Sequence, residues 1–252
     1  MKKHLLEIAC FDEESAVKAA KGGADRIELC RDCVSGGLSA DATVLASLKS
    51  RIPIPIFVMI RPHARNFYYS EEEFEEMKAT LINLKSLGAD GFVFGILQQS
   101  NQDQSNEIDI KRNSQLVQLA EGRSCTFHRA FDLIPESKWN VSLSGLAECG
   151  FRSILTCGGC SENKAEDNIG ALSRLFHCKT SHGPNLEGRE IDIIIGGGVR
   201  STNVLILWEN THCQIFHSSA ILSDDNVVSM EEVAETREAL DGFPLAEQIK
   251  SL

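Results

Sequence analysis

Two cysteines three residues apart, Cys30 and Cys33, follow closely on a carboxylate, Glu28. Farther on, His128-Arg129 is followed by Asp132, and a run of three glycines, Gly196-Gly197-Gly198, precedes His217-Ser218-Ser219. Each grouping has a chemistry of its own. Closely spaced thiols suit a soft ion such as Cu(I), which accepts few thiolate ligands. Carboxylate and imidazole together can transfer protons. Guanidinium groups hold anionic charge. Glycines let backbone N–H groups approach a phosphate, and serine hydroxyls add donors.

These residues share one position in a repeated pattern. Eight apolar runs are each followed by a polar or glycine-rich stretch and then a helical periodicity. The runs are Leu5–Ala9, Arg26–Cys30, Ile54–Arg61, Gly91–Leu97, Ser124–Arg129, Ser153–Thr156, Ile191–Gly196 and Gln214–Ser218. The alternation predicts a single (β/α)₈ TIM barrel over residues 1–252, a length one such barrel occupies. Chemistry in this fold sits where the strands end, in the loops that lead to the helices.

Period-two alternation sends Leu6, Ile8, Ile27 and Leu29 to the helix layer, and Glu7, Ala9, Glu28 and Cys30 into the barrel. Strand three closes on Arg61 and strand five on His128-Arg129. Barrel interiors are normally filled by branched apolar side chains, so charged groups gathered at one level point to a site. The candidate acid–base set is Glu7, Glu28, Arg61, His128, Arg129 and Asp132. A structural network, with Glu28 paired to Arg61 and Asp132 to Arg129, accounts for the same residues, and both accounts can hold. The candidate anion site is Gly196, Gly197, Gly198, Ser218 and Ser219, because barrels of this kind bind phosphate between the last two loops. No lysine closes a strand, which disfavours a Schiff-base aldolase. No nucleophile elbow is present either.

The helices carry recognisable ends. Asp12 caps a helix that Gly22-Gly23 stops, and Ser70 with Glu73 reads as a capping box. Pro135 reads as the first residue of a helix reaching Gly150. Residues 98–107 are almost wholly polar and read as a loop on the catalytic face, either a lid or a solvated stretch. Residues 179–190 fall on the opposite face.

Composition narrows the class. The net charge of −11 disfavours nucleic acid and acidic membrane surfaces, and no apolar stretch is long enough to span a bilayer. An odd number of cysteines, nine, without a secretory leader argues for reduced thiols in the cytoplasm. Cys125, Cys149, Cys178 and Cys213 read as small apolar fillers, as do Cys157 and Cys160 despite their spacing. The second Cys-x-x-Cys lies across the barrel from the first, so one zinc ion shared by all four thiols is geometrically poor.

Several strings in register resemble the CutC family. Gly23-Ala24-Asp25-Arg26-Ile27-Glu28-Leu29-Cys30, Phe57-Val58-Met59-Ile60-Arg61-Pro62 and Gly88-Ala89-Asp90-Gly91-Phe92-Val93-Phe94-Gly95 come first. Thr126-Phe127-His128-Arg129-Ala130-Phe131-Asp132 follows, then Leu155-Thr156, Gly196-Gly197-Gly198 and His217-Ser218-Ser219-Ala220. The resemblance implies a cytoplasmic, homo-oligomeric barrel linked to copper homeostasis that binds Cu(I), with Cys30 as a ligand and Cys33 as its neighbour. The family's other cysteine position is Ala9 here, and Cys10 is displaced from it by one. Ser35 replaces a glutamate of the family, and His63-Ala64-Arg65-Asn66 replaces a glycine-containing run. The residues taken alone favour an enzyme acting on a small phosphorylated or carboxylated metabolite. The resemblance favours copper.

Overall fold

The structure is a computed structural model that describes residues 4–159, 164–182, 190–223 and 225–243. Eight parallel strands close into a barrel: β1 (Leu5–Cys10), β2 (Arg26–Leu29), β3 (Ile56–Met59), β4 (Gly91–Phe94), β7 (Ser124–Phe127), β8 (Ser153–Thr156), β9 (Asp192–Ile195) and β10 (Ile215–Ser218). β10 pairs with β1 and completes the ring. Helices follow the strands: α1 (Glu13–Lys21), α2 (Ala42–Lys49), α3 (Glu71–Ser86), α4 (Ile110–Leu119), α5 (Trp139–Cys149), α6 (Ile169–His182), α7 (Val204–Thr211) and α8 (Met230–Asp241). The expected (β/α)₈ barrel is present.

Local chemistry explains the helix ends. Asp12 accepts the Ser15 N–H at the start of α1. At α3 the Ser70 hydroxyl accepts the Glu73 N–H while the Glu73 carboxylate accepts the Ser70 N–H, the reciprocal capping box. Gly150, at φ +97°, ends α5 in the left-handed region that glycine adopts at no steric cost.

Three expectations about elements need correction. The polar segment after β4 is a hairpin, with β5 (Leu97–Gln99) antiparallel to β6 (Asn106–Ile108), and not an open loop. It is fastened to the barrel wall, since Asn106 donates to the Leu133 carbonyl and its side-chain oxygen accepts from Tyr68. Strand three stops at Met59, so Arg61 lies in the loop beyond it. Pro135 precedes a short 3₁₀ turn, Glu136–Lys138, and the α-helix starts only at Trp139. Cys160 and most of residues 179–190 lie outside the described residues.

The core has two compartments. Leu6, Ile8, Cys10, Ile27 and Leu29 join a large cluster between strands and helices, as the alternation requires. The thiol of Cys10 donates to the Ile8 carbonyl there, on the opposite side of β1 from Ala9. Inside the barrel a smaller cluster of Cys30, Phe57, Met59 and Val93 packs with Phe11. Phe57 fits only because its neighbour on β4 is Gly91, where a Cβ would stand 2.5 Å from the ring. Thr126 and Ser153 satisfy each other across β7 and β8 by a 2.8 Å hydroxyl bond.

Replacing Gly91 with alanine is expected to force the Phe57 ring off its place. Overpacking of this kind costs about 1–3 kcal/mol. A denaturant midpoint equal to that of the natural chain would show that the interior yields more easily than this packing implies.

Candidate active site at the barrel mouth

A chain of buried charges crosses the seam where the barrel closes. Register places Glu7 beside His217 on one side and beside Arg26 on the other. Glu7 is fully buried. It accepts 2.5 Å from Arg26 Nε and 2.8 Å from His217 Nδ1. The Arg26 guanidinium also lies 4.1 Å from the centre of the Phe57 ring. The other nitrogen of His217, Nε2, stands 3.8 Å from Glu28 Oε2. Cys30 Sγ lies 3.6 Å from that same oxygen.

The electrostatics follow from these neighbours. Burial works to raise the Glu7 carboxyl, but Arg26 and then His217 outweigh it and hold its pKa at about 2. Burial pulls His217 down, yet Glu28 and Glu7 reverse this, and the imidazolium persists to a pH above its ordinary range. Glu28 is raised by burial and by Glu7, against the pull of His217. The Cys30 thiol is pushed well up by burial and by Glu28. Glu28 and His217 are thus both shifted upward and each acts on the other, the perturbation expected of groups in a candidate acid–base site.

A cavity of about 240 Å³ opens beside this chain, walled by Glu28, Cys30, Arg61, His128, Arg129 and His217 among others. His128 is buried and accepts the Ala130 N–H on Nδ1, 3.2 Å away. Its proton therefore sits on Nε2. Burial, with the positive charge of Arg61, lowers its pKa to about 3. It is a neutral hydrogen-bond donor, not the base its residue type suggests.

Arg61 does not pair with Glu28. Its Nη1 donates to the carbonyls of Ser35 at 3.1 Å and Gly37 at 3.0 Å, and its Nη2 to Ala64 at 3.1 Å. It clamps the loop after β2 to the loop after β3, with its guanidinium 5.0 Å from the Phe67 ring centre. The second expected pair is present, since Arg129 Nε meets Asp132 Oδ2 at 2.8 Å. Asp132 is buried and also accepts from the Thr156 hydroxyl and from the Cys157 N–H at 3.1 Å, which ties β7 to β8. Asp132 and Glu7 do not line the cavity.

The glycine run divides by role. The Gly196 N–H donates to the Thr156 carbonyl at 2.9 Å, and a Cβ there would stand 2.7 Å from Leu155. Gly197 and Gly198 line the cavity with φ of +94° and +77°. Among the described residues their N–H groups meet no acceptor. The Arg129 guanidinium carbon is 3.6 Å from where a Gly197 Cβ would be, and its Nη2 is 2.9 Å from Cys157 Sγ. Ser219 lines the cavity, but Ser218 does not. The Ser218 hydroxyl donates to the Val199 carbonyl and accepts from the Ala220 N–H and from Arg200. Its bonding is complete within the fold.

The structure thus gathers Glu28, Cys30, Arg61, His128, Arg129, Gly197, Gly198 and Ser219 around one space. His217 and Arg26, absent from the candidate catalytic set, prove central to its charge. The signal for His217 was its inward parity on the strand that closes onto Glu7. Cys33 is half-buried in the loop after Cys30 and takes part in no group of three ligands among the described residues. The one such group is Glu7, Glu28 and His217, whose ligand atoms lie within 4.8 Å of one another. Carboxylate and imidazole suit a harder divalent ion than Cu(I), and Glu7 already neutralises Arg26.

Barrel, mouth and cavity together define a TIM-barrel protein with a candidate site at the C-terminal ends of the strands, where this fold carries its chemistry. No described helix is long and apolar enough to cross a membrane. The CutC family model matches residues 4–222, and the chain belongs to the CutC family. It is 36% identical over 222 residues to the copper homeostasis protein cutC homolog of Homo sapiens, covering 88% of this chain and 75% of that one. It is 37% identical over 216 residues to the family protein CutC of Enterobacter sp. strain 638, covering 86% and 80%. A solved structure named for a copper homeostasis protein CutC of Streptococcus agalactiae superposes with a TM-score of 0.76 at 28% identity, over 85% of this chain and 98% of that one.

Glu7 makes a pH-dependent contribution with a definite sign. A carboxyl held near 2 in the fold and at 4.5 when free stabilises the fold above 4.5, and the contribution is lost as pH falls toward 2. It is on the order of 3 kcal/mol. Glu7→Gln should flatten the fall in melting temperature over that interval while lowering stability at neutral pH. An acid limb unchanged by the substitution would mean that Glu7 is not the titrating group.

Proposed function

We propose that the barrel mouth is the active site of an enzyme that moves protons on a small anionic metabolite. The observation that carries this reading is one cavity lined by two chemically distinct sets of groups. Arg129, the N–H groups of Gly197 and Gly198, and Ser219 form a donor-rich set. Glu28, with His217 and Glu7 beside it, forms the set that can transfer a proton. An anion fits the first set, the anion end, because it meets a guanidinium and backbone donors that are unengaged among the described residues. The space is smaller than a drug-sized pocket and suits a molecule of few atoms.

A second reading is a Cu(I) site at Cys30. It rests on the thiol at the cavity wall, three residues before Cys33, and on the copper homeostasis names of the relatives. The burial and Glu28 charge that oppose a thiolate at Cys30 act against it. The eight described cysteines are free thiols, which suits a cytoplasmic setting for either reading.

Calorimetric titration with inorganic phosphate tests the first reading. The natural chain should bind it, and Arg129→Gln should weaken binding by about tenfold or more, the effect of losing a charge-assisted bond. Absence of any phosphate-dependent heat or melting shift in the natural chain counts decisively against the anion end. Competition for Cu(I) against a chromophoric chelator tests the second reading, where a Cys30→Ser/Cys33→Ser double variant should compete less well. Equal competition removes the copper site.

A further inference from the structure

Among the described residues, three buried polar atoms of the cavity wall have no partner, Glu28 Oε1, Arg61 Nε and His128 Nε2, and the first and the last are of opposite kind. Glu28 Oε1 is an acceptor without a donor. His128 Nε2 is a donor without an acceptor, because the Ala130 N–H fixes the proton on that nitrogen. Leaving such atoms unmatched costs about 1–3 kcal/mol each, so both favour a polar partner entering the cavity. A ligand satisfying both must offer an acceptor to His128 and a hydrogen to Glu28. With an anion at Arg129, Gly197 and Gly198, the complementary molecule carries a terminal anion, a carbonyl and an adjacent C–H.

We propose that Glu28 and His128 are the base and the neutral electrophile of an enolisation, acting on a small hydroxyaldehyde or hydroxyketone that ends in phosphate or carboxylate. The proposal rests on the anion-binding reading of the same cavity. The carbonyl oxygen accepts from His128 Nε2–H. Glu28 takes the proton from the α-carbon: the C–H bond breaks, an O–H bond forms, and the electron pair moves into a C=C bond as the carbonyl oxygen gains charge. Returning the proton to the neighbouring carbon, with the hydroxyl proton passing between the two oxygens, gives the isomeric carbonyl compound. No oxidant or reductant enters. A neutral imidazole suits the electrophile's place because its N–H strengthens its bond as charge develops on oxygen. His217 lines the same cavity with its Nε2 3.8 Å from Glu28 Oε2, where it moderates the carboxylate.

Deuterium wash-in tests this without foreknowledge of the natural compound. The whole protein in D₂O is incubated with glyceraldehyde 3-phosphate, dihydroxyacetone phosphate, erythrose 4-phosphate and glycolaldehyde phosphate, and proton NMR follows the α position. At least one probe should exchange faster than in buffer. Glu28→Gln should reduce that exchange by about 100-fold or more, the usual weight of general base catalysis. His128→Phe should also reduce it strongly, and His128→Gln, which restores a neutral N–H donor, should recover much of the loss. Phosphate titration on the same variants separates the two readings. If phosphate binds the natural chain and Glu28→Gln alike but no probe exchanges above the Glu28→Gln background, enolisation is wrong and the anion site stands. If phosphate does not bind the natural chain, the anion-site reading itself falls. Equal exchange in His128→Phe and His128→Gln removes His128 from the role of donor.

Discussion

The ion chain Arg26–Glu7–His217–Glu28 depends on barrel closure and gives the mouth its character. A lone carboxylate as deeply buried as Glu7 would be very costly. It is stable here because β2 and β10 flank β1 and bring a guanidinium from one side and an imidazole donor from the other. The same arrangement leaves the outermost member, Glu28, less closely partnered, with His217 Nε2 at 3.8 Å. One end of the chain is bonded within the fold and the other faces the cavity, and the order of the strands decides which is which.

Around that chain the barrel separates duties among residues of one type. Three of the arginines near the mouth or just below it show this, and each acts differently. Arg26 neutralises Glu7 beneath the cavity. Arg61 grips backbone carbonyls. Arg129 joins Asp132 and Cys157 while facing Gly197. The histidines divide in the same way. His217 lies between two carboxylates that raise its pKa, whereas His128 lies among Phe67, Phe127 and Arg61, where burial and the arginine's charge lower it.

Much of this was legible in the residues alone. Alternation along β1 and β2 correctly turned Glu7, Glu28 and Cys30 inward and Cys10 outward, because side-chain direction in a strand has a strict period. The Arg129–Asp132 pair followed from short-range spacing. Partner choice across the barrel was less legible. Arg61 stands just past a strand end, where periodicity no longer dictates direction, and its partners are carbonyls that no sequence pattern advertises. His217 and Arg26 required the lateral register of three strands, two of them at opposite ends of the chain. Ser218 and Ser219 look equivalent in sequence, yet β10 ends between them, so one hydroxyl is absorbed by the fold and the other meets the cavity.

The Arg61 clamp bears on how such a barrel diversifies. The guanidinium holds the loop after β2 through the carbonyls of Ser35 and Gly37, groups every amino acid possesses. These anchors do not depend on the side chain at position 35, whose hydroxyl separately donates to Asp32. Serine at position 35 presents its anchoring carbonyl as any other residue there would. A scaffold anchored by backbone in this manner lets a cavity rim drift in sequence across lineages while its shape is inherited.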